Sequence, residues 1–69
     1  MNTWVEERAR VLDIWGIKPL DALHLACAES AQVDYLCTCD DQFLRRAKEV
    51  ADIRVRVVSP LELIEEIER

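Results

Sequence analysis

Asp21, Asp40 and Asp41 are the residues of this chain whose type and spacing point to chemistry. Acids with oxygen donors only, gathered at one place, suit a hard divalent cation such as Mg²⁺ or Mn²⁺. They bracket the stretch KPLDALHLACAESAQVDYLCTCDDQF at 18–43, which reads as a helix, a tight turn, a strand and the start of a second helix. A helix packed on a sheet runs antiparallel to the strand that follows it, so the helix start lies beside the strand end. As a helix, Leu20–Ala31 rises roughly 18 Å. As a strand, Asp34–Asp40 rises roughly 20 Å. The match brings Asp21 and Asp40 together at the carboxyl edge of the sheet, the edge where open α/β sheets bind ligands. Thr38, two residues before Asp40, is placed to orient a carboxylate or a bound water.

Each of these residues also has a purely structural reading. Asp21 falls at the third position of its helix, where the dipole favours an acid by about 0.3–1 kcal/mol. Asp40 reads as the N-cap of the next helix, and Asp41 as a first-turn acid. What favours metal is their convergence, because carboxylates crowded on one edge are costly without a cation. His24, one turn after Asp21, is expected to be a satisfied core residue. Cys37 and Cys39 point the same way along the strand, and two sulfurs alone make a poor zinc site, so core packing is expected. Arg45, Arg46, Lys48, Arg54 and Arg56 read as a solvated face with at most weak phosphate contacts.

The elements that must position the acids follow from patterning. Thr3–Trp15 is an amphipathic helix with Thr3 and Glu6 as its capping box, closed by Gly16. Pro19 opens the next helix at the position where a missing N–H costs least. That helix carries apolar residues around most of its circumference, so it is expected to be buried on nearly all sides. Tyr35–Cys39 reads as a strand covered on both faces. Asp40–Ala51 is a third helix with Phe43, Leu44, Ala47 and Val50 inward. Ile53–Val58 alternates, and its arginines suit an edge strand. Ser59 and Glu62 form a second capping box around Pro60, and Leu61, Leu63, Ile64 and Ile67 give the last helix an apolar side. The result is an α/β chain with two parallel strands and about four helices.

At 69 residues the chain holds one domain at most. Its 51% hydrophobic content is rich for so small a body, which implies apolar surface meant for a partner chain or for further sequence. A two-stranded sheet is not stable alone, so a homodimer is expected. The net charge of −5 argues against a free-standing nucleic-acid binder with a broad basic face. No apolar run reaches membrane-spanning length, and no signal-peptide form is present. Three cysteines without a disulfide pattern place the chain in a reducing cytoplasm.

Three segments together carry a family resemblance: DALHLACA at 21–28, DYLCTCDDQFL at 34–44 and RVVSPLEL at 56–63. They resemble the C-terminal half of a PIN domain, over nearly the whole chain. The two acidic motifs are fairly specific and the tail motif is weaker. The resemblance implies part of a three-layer α/β/α fold and a metal-dependent ribonuclease. Many such proteins are the toxin half of type II toxin–antitoxin pairs of the VapC type, with an antitoxin as partner and RNA as substrate. It implies catalytic and metal-ligating roles for Asp21 and Asp40, a further metal contact from Asp41, and support from Thr38. The family also carries an acid on an opening strand and a Glu on a later helix, for which nothing in 1–69 is a match. The chain is therefore expected to be a truncated PIN-like domain lacking the N-terminal strands. It is further expected to bind Mg²⁺ or Mn²⁺ weakly and to be a weak or inactive ribonuclease by itself. The contrasting expectation is a non-catalytic remnant that dimerises or binds another protein.

Overall fold

The computed structural model describes residues 2–68, so Met1 and Arg69 of the expected 1–69 domain lie outside the described residues. The chain is mixed α/β. Its elements are α1 (Thr3–Ile14), α2 (Pro19–Ser30), β1 (Tyr35–Cys37), α3 (Asp41–Glu49), β2 (Arg56–Val58) and α4 (Pro60–Ile67). The two strands pair in parallel, Tyr35 with Arg56, Leu36 with Val57 and Cys37 with Val58.

Local chemistry explains most of the boundaries. Asn2, not Thr3, caps α1: its side chain accepts the Val5 N–H at 2.8 Å, and Thr3 is the first helical residue. Asn2 is at least as good a cap as Thr; with Val5 at the third helical position the expected Thr3–Glu6 capping box does not form. α1 ends with Gly16 at φ +94. The Gly16 N–H donates to the Asp13 carbonyl and the Ile17 N–H to the Leu12 carbonyl, while Leu12 and Ile17 are both buried. This is a Schellman ending with its apolar clasp. α2 ends the same way, but with Gln32 in the left-handed position at φ +59. A residue with a Cβ is strained there. The Ser59–Glu62 capping box opens α4 as expected, with Pro60 behind it.

The core is one cluster. Val5, Leu12 and Ile17 from the first helix and its turn meet Ala22, Leu25 and Ala26 of α2, in the most extensive helix–helix contact. Phe43, Leu44, Ala47 and Val50 of the α3 region, with Val55 and Val57 at the second strand, complete it.

Several expectations about burial are overturned. α2 is buried along one stripe only, Ala22, Leu25, Ala26 and Glu29, while Leu20, His24 and Cys27 are exposed. An apolar composition around the helix does not supply neighbours to cover it. β1 is three residues long and nowhere fully buried, and Cys37 and Cys39 are exposed rather than packed in the core. β2 is likewise shorter than expected; Val55 and Val57 are buried and Arg54 and Arg56 exposed, as the alternation requires, but Val58 is buried too. α4 buries no residue, and Leu61, Ile64 and Ile67 stand 67%, 51% and 72% exposed.

Candidate metal centre

Asp21 is carried by the first turn of α2. Lys18 precedes the helix without a side-chain cap bond, and Pro19 takes the first helical position. The first-turn acid therefore faces N–H groups that no side chain caps, which is the setting the helix dipole favours. Asp21 is half-buried and lines a shallow crevice with Gly16, Lys18, Gln42, Phe43 and Arg46. It thus lies against the first turns of α3. A Cβ at Gly16 would sit 3.4 Å from the Arg46 side chain, an ordinary contact, so it is the positive φ that calls for glycine here. Lys18 and Arg46 bring positive charge to the same crevice.

Asp40 is the N-cap of α3. Its Oδ1 accepts the Gln42 N–H at 2.9 Å and the Phe43 N–H at 3.2 Å. The Thr38 hydroxyl accepts the Asp40 N–H at 3.1 Å. Thr38 in turn donates its own N–H to the Val58 carbonyl at 2.9 Å. Thr38 thus orients the backbone of Asp40, tying the end of β1 to the start of α3 and to β2. Asp41 follows as an exposed acid in the first turn of α3. His24 is exposed on α2, not a core residue.

The capping bonds occupy Oδ1 of Asp40, leaving Oδ2 for an outside ligand. Among the described residues, no three His, Cys, Asp or Glu side chains converge to hold a metal ion. The donor set is therefore right in kind for Mg²⁺ or Mn²⁺ but short in number. Asp41 adds a third acid next to Asp40 in the chain, but Asp40 and Asp41 do not line the crevice that holds Asp21.

The opposite end of α2 holds the strongest polar constellation in the molecule, one that patterning does not single out. Glu29 is 2% exposed. Arg8 of α1 donates Nε to Glu29 Oε1 at 2.8 Å and Nη2 to Oε2 at 3.1 Å. The Arg54 N–H adds a third bond to Oε2 at 3.1 Å. The same guanidinium reaches Asp52 through Nη1 and Nη2 at 3.1 and 3.2 Å. Hydrogen bonding to Glu29 raises the pKa of Arg8 further, and the bond from Arg8 pulls Asp52 below its ordinary value. One arginine thereby fastens α1, α2 and the α3–β2 loop.

The chain matches no family model, no curated protein and no solved structure.

Among the described residues, no helix is long and apolar enough to cross a membrane.

Proposed function

We propose that this chain carries part of a PIN-like acid site that binds Mg²⁺ or Mn²⁺ and acts on RNA phosphodiesters, with Asp21 and Asp40 as the binding pair and Asp41 assisting. The observation that carries this reading is the meeting of two helix starts. Asp21 borders the first turns of α3, the helix that Asp40 caps and that the Thr38 hydroxyl anchors to the end of β1. Asp21 and Asp40 would hold the divalent cation, which would supply Lewis-acid activation of a water for attack on a phosphate. The chain's own residues supply the rest. Thr38 fixes the Asp40 backbone, and Asp40 keeps one carboxylate oxygen directed at α3 and one outward. In-line hydrolysis needs water and substrate fixed together, so with two acids the expected RNA cleavage by this chain alone is slow or absent.

Manganese relaxation titration tests the binding pair. Asp21→Asn is expected to weaken Mn²⁺ binding sharply, and equal binding by variant and parent would reduce both acids to helix caps. RNA cleavage in Mn²⁺, compared with Asp40→Asn, reads the chemistry. Fast turnover that vanishes in the variant would show that a working site assembles from more than these two acids.

A second reading, a non-catalytic module that dimerises, is favoured by the apolar stripe of Leu61, Ile64 and Ile67 left bare on α4. Light scattering at micromolar concentration separates the two, since a compact 8.0 kDa particle excludes the dimer.

A further inference from the structure

A groove of about 300 Å³ runs along residues 53–58 on the side where α3 and the start of α4 come down. Its floor includes Val55 and Val57, and its rim carries Lys48, Arg54 and Arg56 with one acid, Glu62. The backbone of β2 explains why the groove is more than a surface fold. The Arg56 N–H donates to the Asp34 carbonyl and the Val58 carbonyl accepts from Thr38, so both residues turn their polar groups toward β1. In a parallel strand the residue between them turns its N–H and C=O the other way. On that side no further strand is present among the described residues. Val57 lines the groove, so this edge of β2 offers it backbone groups that have no ladder partner there.

We propose that this groove binds an extended acidic peptide as a third strand on the open edge of β2. The outward-turned N–H and C=O of Val57 supply the ladder, and the valine floor accepts the peptide's inward side chains. The rim selects the charge. Lys48 sits 3.8 Å from Glu62, a loose surface pair; Arg56 holds the half-buried Glu66 at 3.0 Å and lies over the Tyr35 ring, and Arg54 lies over the Trp4 ring. All three cations are exposed, and a guanidinium bonded once, as in Arg56, keeps further N–H donors for a second carboxylate. A second copy of this chain is a poor occupant. Two β2 strands paired about a two-fold axis would set arginine-bearing edges against each other, and like charges placed opposite destabilise a sheet. RNA is also a poor occupant, because the groove has no aromatic side chain for base stacking and Glu62 opposes phosphate.

Fluorescence anisotropy tests this with a labelled hexapeptide of alternating glutamate and valine. Three companions share its length: a lysine–valine peptide, a glutamate–valine peptide N-methylated at alternate residues, and an oligouridine RNA. The expected result is saturable binding of the acidic peptide alone. The double variant Arg54→Ala/Arg56→Ala, whose side chains are exposed, should keep the parent's circular dichroism and weaken binding roughly tenfold, as for two lost surface ion pairs. N-methylation should abolish binding without any change to the protein. Equal binding of the lysine peptide, unimpaired binding of the N-methylated one, or displacement by the RNA would each overturn the proposal.

Discussion

The two ends of α2 carry acids of similar chemistry with opposite fates. At the C-terminal end, Glu29 is enclosed and takes three hydrogen bonds, two of them from one guanidinium. At the N-terminal end, Asp21 is half-buried in a crevice shared with Lys18 and Arg46, and it enters no ion pair among the described residues. A carboxylate held in a dry, fully bonded socket has no capacity left for a ligand. One that is partly wet and bordered by another acid-capped helix still has it. The carboxylate under most constraint is thus a structural clasp, and the less constrained one is the candidate for chemistry.

The sharpest way to break this contrast is at the clasp. Arg8→Met leaves the Glu29 carboxylate buried without its partner, and unfolding stability should fall by about 3–5 kcal/mol. Adding Glu29→Leu should recover most of that loss, because an apolar pair of similar volume does not need the bonds. Urea unfolding of the single and double variants reads both numbers. A loss below about 1 kcal/mol in Arg8→Met would mean that Glu29 is solvated, and the two ends of α2 would no longer differ in kind.

Asp40 should give a smaller effect of a different origin. Asp40→Ala removes the acceptor of the Gln42 and Phe43 N–H groups and should cost about 0.5–2 kcal/mol. Asp40→Asn keeps a capping oxygen and should be close to neutral in stability while removing the charge. If both substitutions were equally destabilising, the charge rather than the cap would be holding the start of α3. Thermal melts of the pair decide this.

The helix ends were the most legible part of the fold, because a cap depends on two or three neighbouring residues. Gly16, Pro19, Asp40 and the Ser59–Glu62 box all act where their spacing places them. Burial was the least legible. Leu20 and Cys27 on α2, and Leu61, Ile64 and Ile67 on α4, carry apolar side chains that no other element covers. Periodicity reports which face is apolar and says nothing of what arrives to meet it. The Arg8–Glu29 clasp escaped for the same reason, since its partners are 21 residues apart. A signal was nevertheless present: Glu29 continues the stripe of Ala22, Leu25 and Ala26 at helical spacing. An acid on a buried stripe requires a partner, and Arg8 on the facing helix provides it. In the candidate site, the role of Asp40 as a cap and its nearness to Thr38 were readable, whereas Lys18 and Arg46 in the crevice of Asp21 depend on how α3 turns.

Acid titration sharpens the comparison through the periphery of the clasp. Asp52 is pulled down chiefly by its bond from Arg8, and Glu62 chiefly by the backbone N–H of Ser59. A carboxyl lowered in the folded state stabilises the fold above its unfolded value. That contribution is lost as pH falls through the lower folded value, because the unfolded chain takes up its proton first. The relevant ordinary values are 3.8 for Asp52 and 4.5 for Glu62. Stability should therefore hold from neutral pH down to about 5 and decline below it. Both groups are exposed, so the decline should be modest and should shrink in high salt. In Arg8→Met the part due to Asp52 should disappear; an unchanged profile would place the titrating groups elsewhere.

The smallest effect on stability is expected at Asp21, and it bears most directly on the contrast. Asp21→Asn removes a first-turn charge worth about 0.3–1 kcal/mol to a helix start. Removing it also withdraws a countercharge from Lys18 and Arg46, which line the same crevice. Asp21 is partly wet, so the loss in urea unfolding without divalent cation should stay under about 1 kcal/mol. With millimolar Mn²⁺ present, the parent should gain stability by mass action and the variant should not. The cation-dependent difference, rather than the absolute stability, separates a ligand-binding acid from a helix-capping one. Equal responses of parent and variant to Mn²⁺ would leave Asp21 a dipole partner of α2, and both ends of that helix would then serve the fold alone.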